Sequence, residues 1–281
     1  MPITLPSLSV ALTLLLAFPI GTQAQELRRD RLGRVLQVAP VVQKLAMYGY
    51  PQATFFSYKD SDVASATFGV EMCVLEMPRG SGHLRVKDLR VDKSPIEIFQ
   101  SGFPATSLGV MTGGFFGLDK LGSPIPLGLV KSDSKTISQK HPWTSGGVIG
   151  VSKGRIEILP IAKFTSPQSY SDAVQSKPLL VEAGKDGIRT ATNDRFDRSA
   201  VALDSKGSIY FFVVHEQAGS AASLAEFSYL IRSFRSTNGD AIDFALAMDG
   251  GPGAHMYVPA LKKHCGAGIP TFVPNALYVT K

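Results

Sequence analysis

Two glycine turns carry the residues of this chain that are best placed for chemistry. One turn is Thr112-Gly113-Gly114-Phe115-Phe116 and the other is Asp249-Gly250-Gly251-Pro252-Gly253, and each follows a strand-like apolar run. Paired glycines let main-chain N–H groups approach a ligand because no Cβ intervenes, and the second turn adds a carboxylate at the exit of a strand. We therefore predict a catalytic role for Asp249, with ordinary turn glycines as the alternative. The predicted ligand-binding residues of the two turns are Thr112, Gly113, Gly114, Phe115, Gly250 and Gly251.

Three further side chains have types suited to phosphate and sugar chemistry. Arg198 precedes a predicted strand, and its planar guanidinium suits bidentate binding of a phosphate or carboxylate. A surface ion pair with Asp194 or Asp197 is the alternative for this arginine. His215 ends a predicted strand and His255 follows the second glycine turn, and either side chain can transfer protons near neutral pH. We take His215 as the second catalytic candidate, with a structural or exposed histidine as the alternative. Trp143, the single tryptophan, either stacks on a sugar ring or belongs to the core.

A second carboxylate near Asp249 would suggest glycoside hydrolysis by a pair of acids. Glu226 is assigned to a helix cap instead. Asp243 lies on the same predicted strand as Asp249, but six residues of extended chain separate the two by about 20 Å. Three acids remain open as the partner, and the sequence does not choose among Asp119, Asp197 and Glu216.

The composition excludes several classes of protein. The 281 residues carry 29 Lys and Arg against 23 Asp and Glu, and this net charge of +6 is not gathered into a basic cluster, so no nucleic-acid partner is expected. With 44% hydrophobic and 19% charged residues, the chain can bury a substantial core. Two cysteines exclude a Cys-rich zinc module, and HExxH, CxxC, GxSxG and P-loop motifs are missing from the sequence. We therefore predict no cofactor and no obligatory metal.

Residues 1–24 are predicted to be a signal peptide. Val10–Phe18 is an apolar run, and Ala24 closes a segment with small residues at the cleavage positions. The run is shorter than the roughly 20 residues of a membrane-spanning helix, although an uncleaved anchor is the alternative. We expect a periplasmic or secreted protein without stable membrane insertion after cleavage. Export would permit a Cys73–Cys265 disulfide, with two separate thiols as the alternative.

The rest of the chain is predicted to form a single strand-rich α+β domain with a mixed sheet and a few packing helices. A lead-in covers residues 25–65, and the domain covers 66–281, where short β-like runs are broken by Gly, Pro and Asp. Ser223–Glu226 matches a capping box, and the apolar spacing after it predicts a helix that Asn238-Gly239 stops. The run Ala241–Met248 alternates large residues with alanines and predicts a strand whose alanine face allows close approach of another element.

Several blocks, in order from about residue 67 to the C terminus, resemble the phosphodiester glycosidase family. In this family a glycine turn leads to a strand, an arginine begins a later strand, and a helix leads to an Asp-Gly-Gly turn. Lys177 stands where the family has glycine and adds a positive charge. The matching blocks are Thr112–Phe116 with Gly122–Val130, Asp172–Val181, Arg198–Asp204, Leu224–Tyr257 and Val273–Leu277.

The resemblance implies a hydrolase that cleaves the bond between a sugar anomeric carbon and a phosphodiester, in an exported or cell-envelope glycan. The products would be free sugar and a phosphomonoester. Arg198 would offset phosphate charge, and the N–H groups near Gly113 and Gly114 would hold phosphate or sugar oxygens. Asp249 would be a nucleophile or base, or would stabilise positive charge at the anomeric carbon. Lys177 is assigned to substrate binding, and the partner is a carbohydrate or a sugar phosphate.

Two functional classes besides an enzyme stay open. A non-catalytic glycan- or phosphoglycan-binding protein of the same fold would show saturable affinity without product. A structural component of an exported polysaccharide assembly would show neither affinity for a small ligand nor turnover.

Overall fold

The computed structural model describes residues 40–45, 53–59, 70–90, 97–190, 192–216, 220–266 and 273–281. The predicted signal peptide and most of the predicted lead-in lie outside these residues. Within them, the strands form three sheets and one separate hairpin.

The largest sheet, called the main sheet below, has eight strands: β1 (Val41–Lys44), β2 (Thr54–Lys59), β3 (Val70–Met77), β13 (Leu179–Glu182), β14 (Lys185–Asp186), β15 (Arg198–Asp204), β16 (Ile209–Glu216) and β17 (Ile242–Ala247). They are hydrogen-bonded in the order β1-β2-β3-β16-β15-β17-β13-β14. Two strands of the predicted lead-in therefore form one edge of this sheet, and β17 lies between β15 and β13. The division of the chain at residue 66 stays a prediction.

Two five-stranded sheets and a hairpin complete the β-structure. The second sheet contains β8 (Val130–Ser132), β9 (Lys135–Ser138), β10 (Gly147–Ser152), β11 (Arg155–Pro160) and β12 (Asp172–Ser176), in the order β11-β10-β12-β8-β9. The third sheet contains β4 (His83–Asp88), β5 (Ser107–Thr112), β18 (Met256–Val258), β19 (Lys263–Cys265) and β20 (Asn275–Thr280), in the order β19-β18-β5-β20-β4. The hairpin is β6 (Phe116–Leu118) with β7 (Pro124–Pro126).

Every strand pair among the described residues is antiparallel. The expectation of a mixed sheet is therefore wrong for this part of the chain. A parallel pair needs a long crossover, usually a helix. The two α-helices described are short, α1 (Glu97–Ser101) and α2 (Leu224–Ser233), and the fold is mostly β.

The main sheet separates two hydrophobic clusters. Because side chains alternate along a strand, each strand contributes to both clusters. Phe211 and Val213 of β16 face the cluster shared with the second and third sheets. Tyr210 and Phe212 face the other cluster, which is closed by α2. The main sheet thus lies between the second and third sheets on one face and the helix α2 on the other.

Helix α2 confirms the predicted cap. The Ser223 hydroxyl accepts a hydrogen bond from the Glu226 N–H, and the Glu226 carboxylate accepts one from the Ser223 N–H. The helix ends at Ser233, earlier than the Asn238-Gly239 stop that the sequence predicts. Phe234 is already extended, and its buried ring contacts Phe56 and Phe212 edge to face. Packing of this ring takes the chain out of the helix before the glycine is reached.

The alanine face of β17 forms at Ala245 and Ala247 as predicted, although Ile242, expected on the opposite face, lies in the same cluster as these alanines because the register shifts at Asp204. Ala245 and Ala247 are buried in the cluster that contains α2 residues Phe227 and Ile231, whereas Leu246 faces the opposite cluster. Small side chains on this face allow the helix to approach the sheet closely. The helix thereby covers the strand that leads to Asp249.

Cys73 and Cys265 form a disulfide, which settles the alternative that the sequence leaves open. The bond joins β3 of the main sheet to β19 of the third sheet, and 192 residues separate the two cysteines. Among the described helices, none has both the length and the apolar character needed to span a bilayer.

Removal of this disulfide should lower the free energy of unfolding by about 2–5 kcal/mol, because a long loop is no longer closed in the unfolded chain. Urea denaturation of the oxidised and the reduced protein measures the difference. The double variant Cys73→Ser/Cys265→Ser is the control, since its unfolding should not respond to reductant. Equal midpoints for the oxidised and the reduced wild-type protein would contradict the prediction.

Candidate active site

The two glycine turns that the sequence singles out meet in the structure. The main-chain N–H of Asp249 donates a hydrogen bond of 2.9 Å to the carbonyl of Gly113. Asp249 follows β17 of the main sheet, and Gly113 follows β5 of the third sheet. The contact therefore joins the ends of two strands from different sheets, and both turns belong to one site.

Ser199 on β15 supports this junction. Its hydroxyl donates to the Asp249 carbonyl over 2.6 Å, and the Met248 N–H donates to the Ser199 carbonyl over 2.9 Å. The Thr112 hydroxyl lies 3.4 Å from the Ser199 hydroxyl, and Thr112 is fully buried. Thr112, which is predicted to bind substrate, is therefore buried against protein groups beneath the two turns, where its hydroxyl neighbours that of Ser199.

Asn275 is a site residue that the sequence reasoning did not assign. The N–H of Gly113 donates to the Asn275 carbonyl, and the N–H of Gly114 donates to its Oδ1, both over 3.0 Å. These two N–H groups are thus occupied, which corrects the expectation that they hold phosphate or sugar oxygens. The Nδ2 of Asn275 is buried without a hydrogen-bond partner among the described residues. The only sequence signal was the position of Asn275 within Val273–Leu277, one of the blocks that resemble the family.

The carboxyl group of Asp249 is buried, with 8% of the residue exposed. Burial disfavours the charged form and raises the pKa to about 7, although a hydrogen bond from the Gly250 N–H acts in the opposite direction. A pKa near neutrality suits a group that gives or takes a proton, or that must be ionised, at physiological pH.

Glycine is favoured at two positions of the turn after Asp249. Gly251 has a φ of 59°, in the left-handed region that glycine adopts without strain. A Cβ on Gly253 would overlap the Asp249 carboxylate. The short 3-10 turn of Gly251–Gly253 therefore wraps closely around this side chain and excludes water from part of it.

Arg198 lies beside the same turn. Its Nη1 lies next to Gly250, 3.8 Å from the position that a Cβ would take on that residue. Its Nη2 donates a hydrogen bond of 2.9 Å to the main-chain carbonyl of Asp194. Nε donates to the Ala222 carbonyl over 3.1 Å, and the guanidinium carbon is 5.0 Å from the centre of the Phe196 ring. Burial lowers the pKa of Arg198, while the nearby acids oppose this. The guanidinium is thus held next to the Asp-Gly-Gly turn.

His215 points away from Arg198. Arg198 pairs with Val214, and the strand alternation directs His215 to the opposite face of the sheet. Its Nε2 lies 3.5 Å from a Glu71 carboxylate oxygen, and burial lowers its pKa, although Glu71 favours the charged form. The structure therefore does not bring His215 together with Arg198, because the β15–β16 register separates their side chains.

Lys177 and Phe115 complete the set of predicted binding residues. Lys177 is exposed, and its ammonium lies 4.9 Å from the centre of the Trp143 ring. The carbonyl of the next residue, Pro178, accepts a hydrogen bond of 3.0 Å from Ala247 at the end of β17. Phe115 is half-buried, and its carbonyl accepts from the Leu127 N–H over 2.8 Å. Both residues border the junction of the two turns.

Apart from Asp243, the carboxylates considered as partners of Asp249 fall into two groups, those engaged elsewhere and those near the second glycine turn. Glu226 caps its helix and forms an ion pair with Arg195 at 2.8 Å. Asp119 accepts hydrogen bonds from N–H groups in its own turn. Asp197 is buried and adjoins the second glycine turn, since its main-chain carbonyl accepts from the Gly251 N–H over 2.8 Å. Its side chain accepts from the Glu216 N–H over 3.0 Å, so Asp197 and Glu216 are neighbours.

One group of residues among those described has metal-ligating types in close proximity: Glu71, Cys73 and Cys265. Both sulfur atoms are consumed in the disulfide. A disulfide offers no thiolate to a metal ion, so this donor set does not fit one.

Comparisons with known proteins extend these observations. The model of the phosphodiester glycosidase family (NAGPA) matches residues 105–280, which include both glycine turns and Arg198. A search of curated proteins found no match.

Two solved structures share the fold. One is the catalytic domain of zebrafish N-acetylglucosamine-1-phosphodiester alpha-N-acetylglucosaminidase, auto-inhibited by its pro-peptide. It is 14% identical, 86% of this chain and 84% of that chain are covered, and the TM-score is 0.57. The other is a candidate exported protein from Burkholderia pseudomallei, 11% identical, with 78% and 75% covered and a TM-score of 0.56. The family match spans more than half of the sequence, and the chain therefore belongs to the phosphodiester glycosidase family, a family of hydrolases.

Proposed function

We propose that this protein hydrolyses the bond between a sugar anomeric carbon and a phosphodiester in an exported or cell-envelope glycan. The observation that carries the proposal is the placement of a buried carboxyl, Asp249, in the turn that borders the Arg198 guanidinium. Water would supply a hydroxyl to the anomeric carbon and a proton to solvent or to the leaving group. The bond between the anomeric carbon and oxygen would break, and the phosphomonoester would leave with the electron pair.

Arg198 has the position and charge to receive the phosphate. A guanidinium offers paired N–H donors to two phosphate oxygens, and it stabilises the negative charge that grows as the phosphate leaves. Phosphate is already a good leaving group, so this charge matters more than a strong general acid would. Hydrogen bonds to two main-chain carbonyls, those of Asp194 and Ala222, hold the group in place.

Asp249 acts in its ionised form in this proposal. As a carboxylate it attacks the anomeric carbon, activates the attacking water, or stabilises the positive charge that develops on the sugar. A partly dry environment strengthens each of these interactions. The cost is that the carboxylate forms only near and above pH 7, as its raised pKa indicates.

Export is part of the proposal and has two supports besides the predicted signal peptide. A buried disulfide persists in oxidising compartments and is rare in the cytosol. The similar structure from Burkholderia pseudomallei is described as a candidate exported protein. The substrate would then be a carbohydrate or sugar phosphate outside the cytoplasm.

A non-catalytic glycan-binding protein of the same fold is the second candidate. The observation that favours it is the use of the Gly113 and Gly114 N–H groups by Asn275, which removes two donors from any substrate oxygen. Such a protein would bind a phosphoglycan through Arg198 without forming product.

Turnover of two sugar-1-phosphodiesters in ¹⁸O-labelled water tests the reaction. Purified protein is incubated with a UDP-sugar or with the methyl diester of the same sugar 1-phosphate, and the products are identified by mass. We expect free sugar carrying the label, together with unlabelled phosphomonoester or UDP. Asp249→Asn should lower kcat by at least about 100-fold.

Asp243→Asn is the matched control, because it changes an aspartate at the other end of β17 and should retain turnover. Sugar 1-phosphate as the product would mean that a P–O bond is cut, which contradicts a glycosidase. Saturable binding of both compounds without any product would favour the binding protein.

The pH dependence of kcat/KM tests the role of Asp249. Because the carboxylate is the active form and its pKa is raised to about 7, kcat/KM should rise with pH and reach a plateau above about pH 7. Initial rates between pH 5 and 9 with the diester substrate measure this. A rate that instead falls above pH 7 would assign Asp249 as a general acid.

Stability measurements test the raised pKa of Asp249 without any substrate. In the folded state the pKa of Asp249 is raised from 3.8 to about 7, so ionisation destabilises the fold progressively as pH rises from about 4 to above 7. Asp249→Asn stays neutral. The free energy of unfolding of Asp249→Asn should equal that of the wild type near pH 4 and exceed it at pH 8 by on the order of 4 kcal/mol. Urea denaturation of both proteins at pH 4 and pH 8 measures this difference in the free energy of unfolding. A difference between variant and wild type that is the same at both pH values would contradict burial of the charge.

A further inference from the structure

An exposed lysine, Lys177, and a half-buried tryptophan, Trp143, form a pair of a cation and an aromatic ring near the site. The ammonium lies 4.9 Å from the centre of the indole ring, within the range of a cation–π contact. Among the described residues, no ion pair neutralises this lysine. A positive charge fixed over a ring and open to solvent is available to an anionic ligand.

A single buried side chain positions both members of the pair. The Gln175 Oε1 accepts from the His141 N–H over 2.9 Å, and its Nε2 donates to the His141 carbonyl over the same distance. The N–H of Trp143 donates to that carbonyl as well, over 2.8 Å. Gln175 lies two residues before Lys177 on the strand β12, so one amide ties the tryptophan loop to the lysine segment. The pair is thus built into the second sheet.

The strand order of the main sheet places Lys177 and Arg198 at the starts of segments on opposite sides of β17. The strand β17 ends just before Asp249 and lies between β15 and β13. Arg198 begins β15, and Lys177 precedes β13, with Pro178 hydrogen-bonded to the end of β17. Neighbouring strands are about 4.8 Å apart, so the two flanking chains are separated by roughly 10 Å. The segments that begin with Arg198 and Lys177 therefore flank the strand that leads to Asp249.

We propose that Lys177 and Trp143 form the subsite for a sugar that carries an acidic substituent, so that the substrate is a phosphodiester of an anionic sugar. This inference rests on the proposed function, which assigns the phosphate to Arg198. With the phosphate on that side of Asp249, the sugar extends toward the other side. There the half-buried Trp143 ring, whose centre lies 4.9 Å from that of the His141 ring, adds apolar surface for the sugar C–H groups, and the Lys177 ammonium pairs with a carboxylate or a second phosphate on the sugar.

A matched pair of substrates isolates this charge. UDP-glucuronate and UDP-glucose differ only in the carboxylate of the sugar, and both present the same phosphate to Arg198. We expect the wild-type kcat/KM to favour UDP-glucuronate by at least about tenfold, the effect of one charge-assisted hydrogen bond. Lys177→Met keeps an aliphatic chain over the Trp143 ring but removes the charge. It should bring the ratio of kcat/KM for UDP-glucuronate to kcat/KM for UDP-glucose close to one.

Two further variants serve as controls for the lysine. Lys177→Arg retains the positive charge and should retain the preference. Lys185→Met removes an exposed lysine from the far end of the β13–β14 hairpin and should leave the ratio of the two substrates unchanged. A wild-type ratio near one, or a ratio that Lys177→Met does not change, would overturn the inference while turnover itself still supports the proposed function.

Binding can be followed without turnover because Trp143 is the single tryptophan of the chain. In Asp249→Asn, intrinsic fluorescence is titrated with glucose 1-phosphate, glucuronate 1-phosphate and glucose 1,6-bisphosphate. We expect a saturable change at lower concentration for one or both of the two ligands that carry a second anionic group on the sugar, and which of them binds distinguishes a carboxylate from a phosphate. If the fluorescence responds selectively to these ligands but the wild-type protein shows no turnover, the proposed glycosidase activity is rejected and the proposed subsite is retained. Equal responses to all three ligands would reject the subsite.

Discussion

The hydrogen bond from the Asp249 N–H to the Gly113 carbonyl is the contact on which the site depends. It joins the end of a central strand of the main sheet to the end of a strand in the third sheet. Ser199 and Asn275 secure the two sides of this junction through four hydrogen bonds to or from main-chain groups at the turns. A carboxylate on a single loop would be mobile, whereas here it is fixed by two sheets. Precise placement of a reacting group is what makes such a carboxylate useful in catalysis.

Burial of the Asp249 carboxyl disfavours its charged form, and such groups cluster at functional sites. The glycine at position 253 leaves room for the side chain, and the chain closes around it without an arginine or lysine close enough to dominate its pKa. A structural aspartate would be stabilised by such a cation or by several N–H donors, and its pKa would fall. The pKa of this residue instead rises to about 7, which fits a group whose ionisation is part of function.

Local sequence patterns were sufficient for some features and not for others. The α2 cap follows from Ser223 and Glu226, which are three residues apart, and a turn is evident from paired glycines. The binding of the Gly114 N–H by Asn275 joins residues 161 positions apart, and no periodicity encodes that contact. The sequence predicts His215 as catalytic because it ends a strand and its ring transfers protons near neutral pH. The register of that strand with its neighbour, which is a tertiary property, directs the ring to the opposite face.

The electrostatics of the site connect Arg198 with the protonation of Asp249. A phosphodiester that binds beside Asp249 brings a negative charge, and a like charge in a partly dry site raises the pKa of a carboxyl further. Unless that charge is neutralised, the substrate would keep Asp249 protonated and would suppress the form that reacts. Arg198 lies on the phosphate side of the turn in the proposed reaction and would cancel this charge, so the carboxylate can form with substrate bound. The arginine would thus contribute twice, by stabilising the leaving phosphate and by permitting the ionisation of the aspartate.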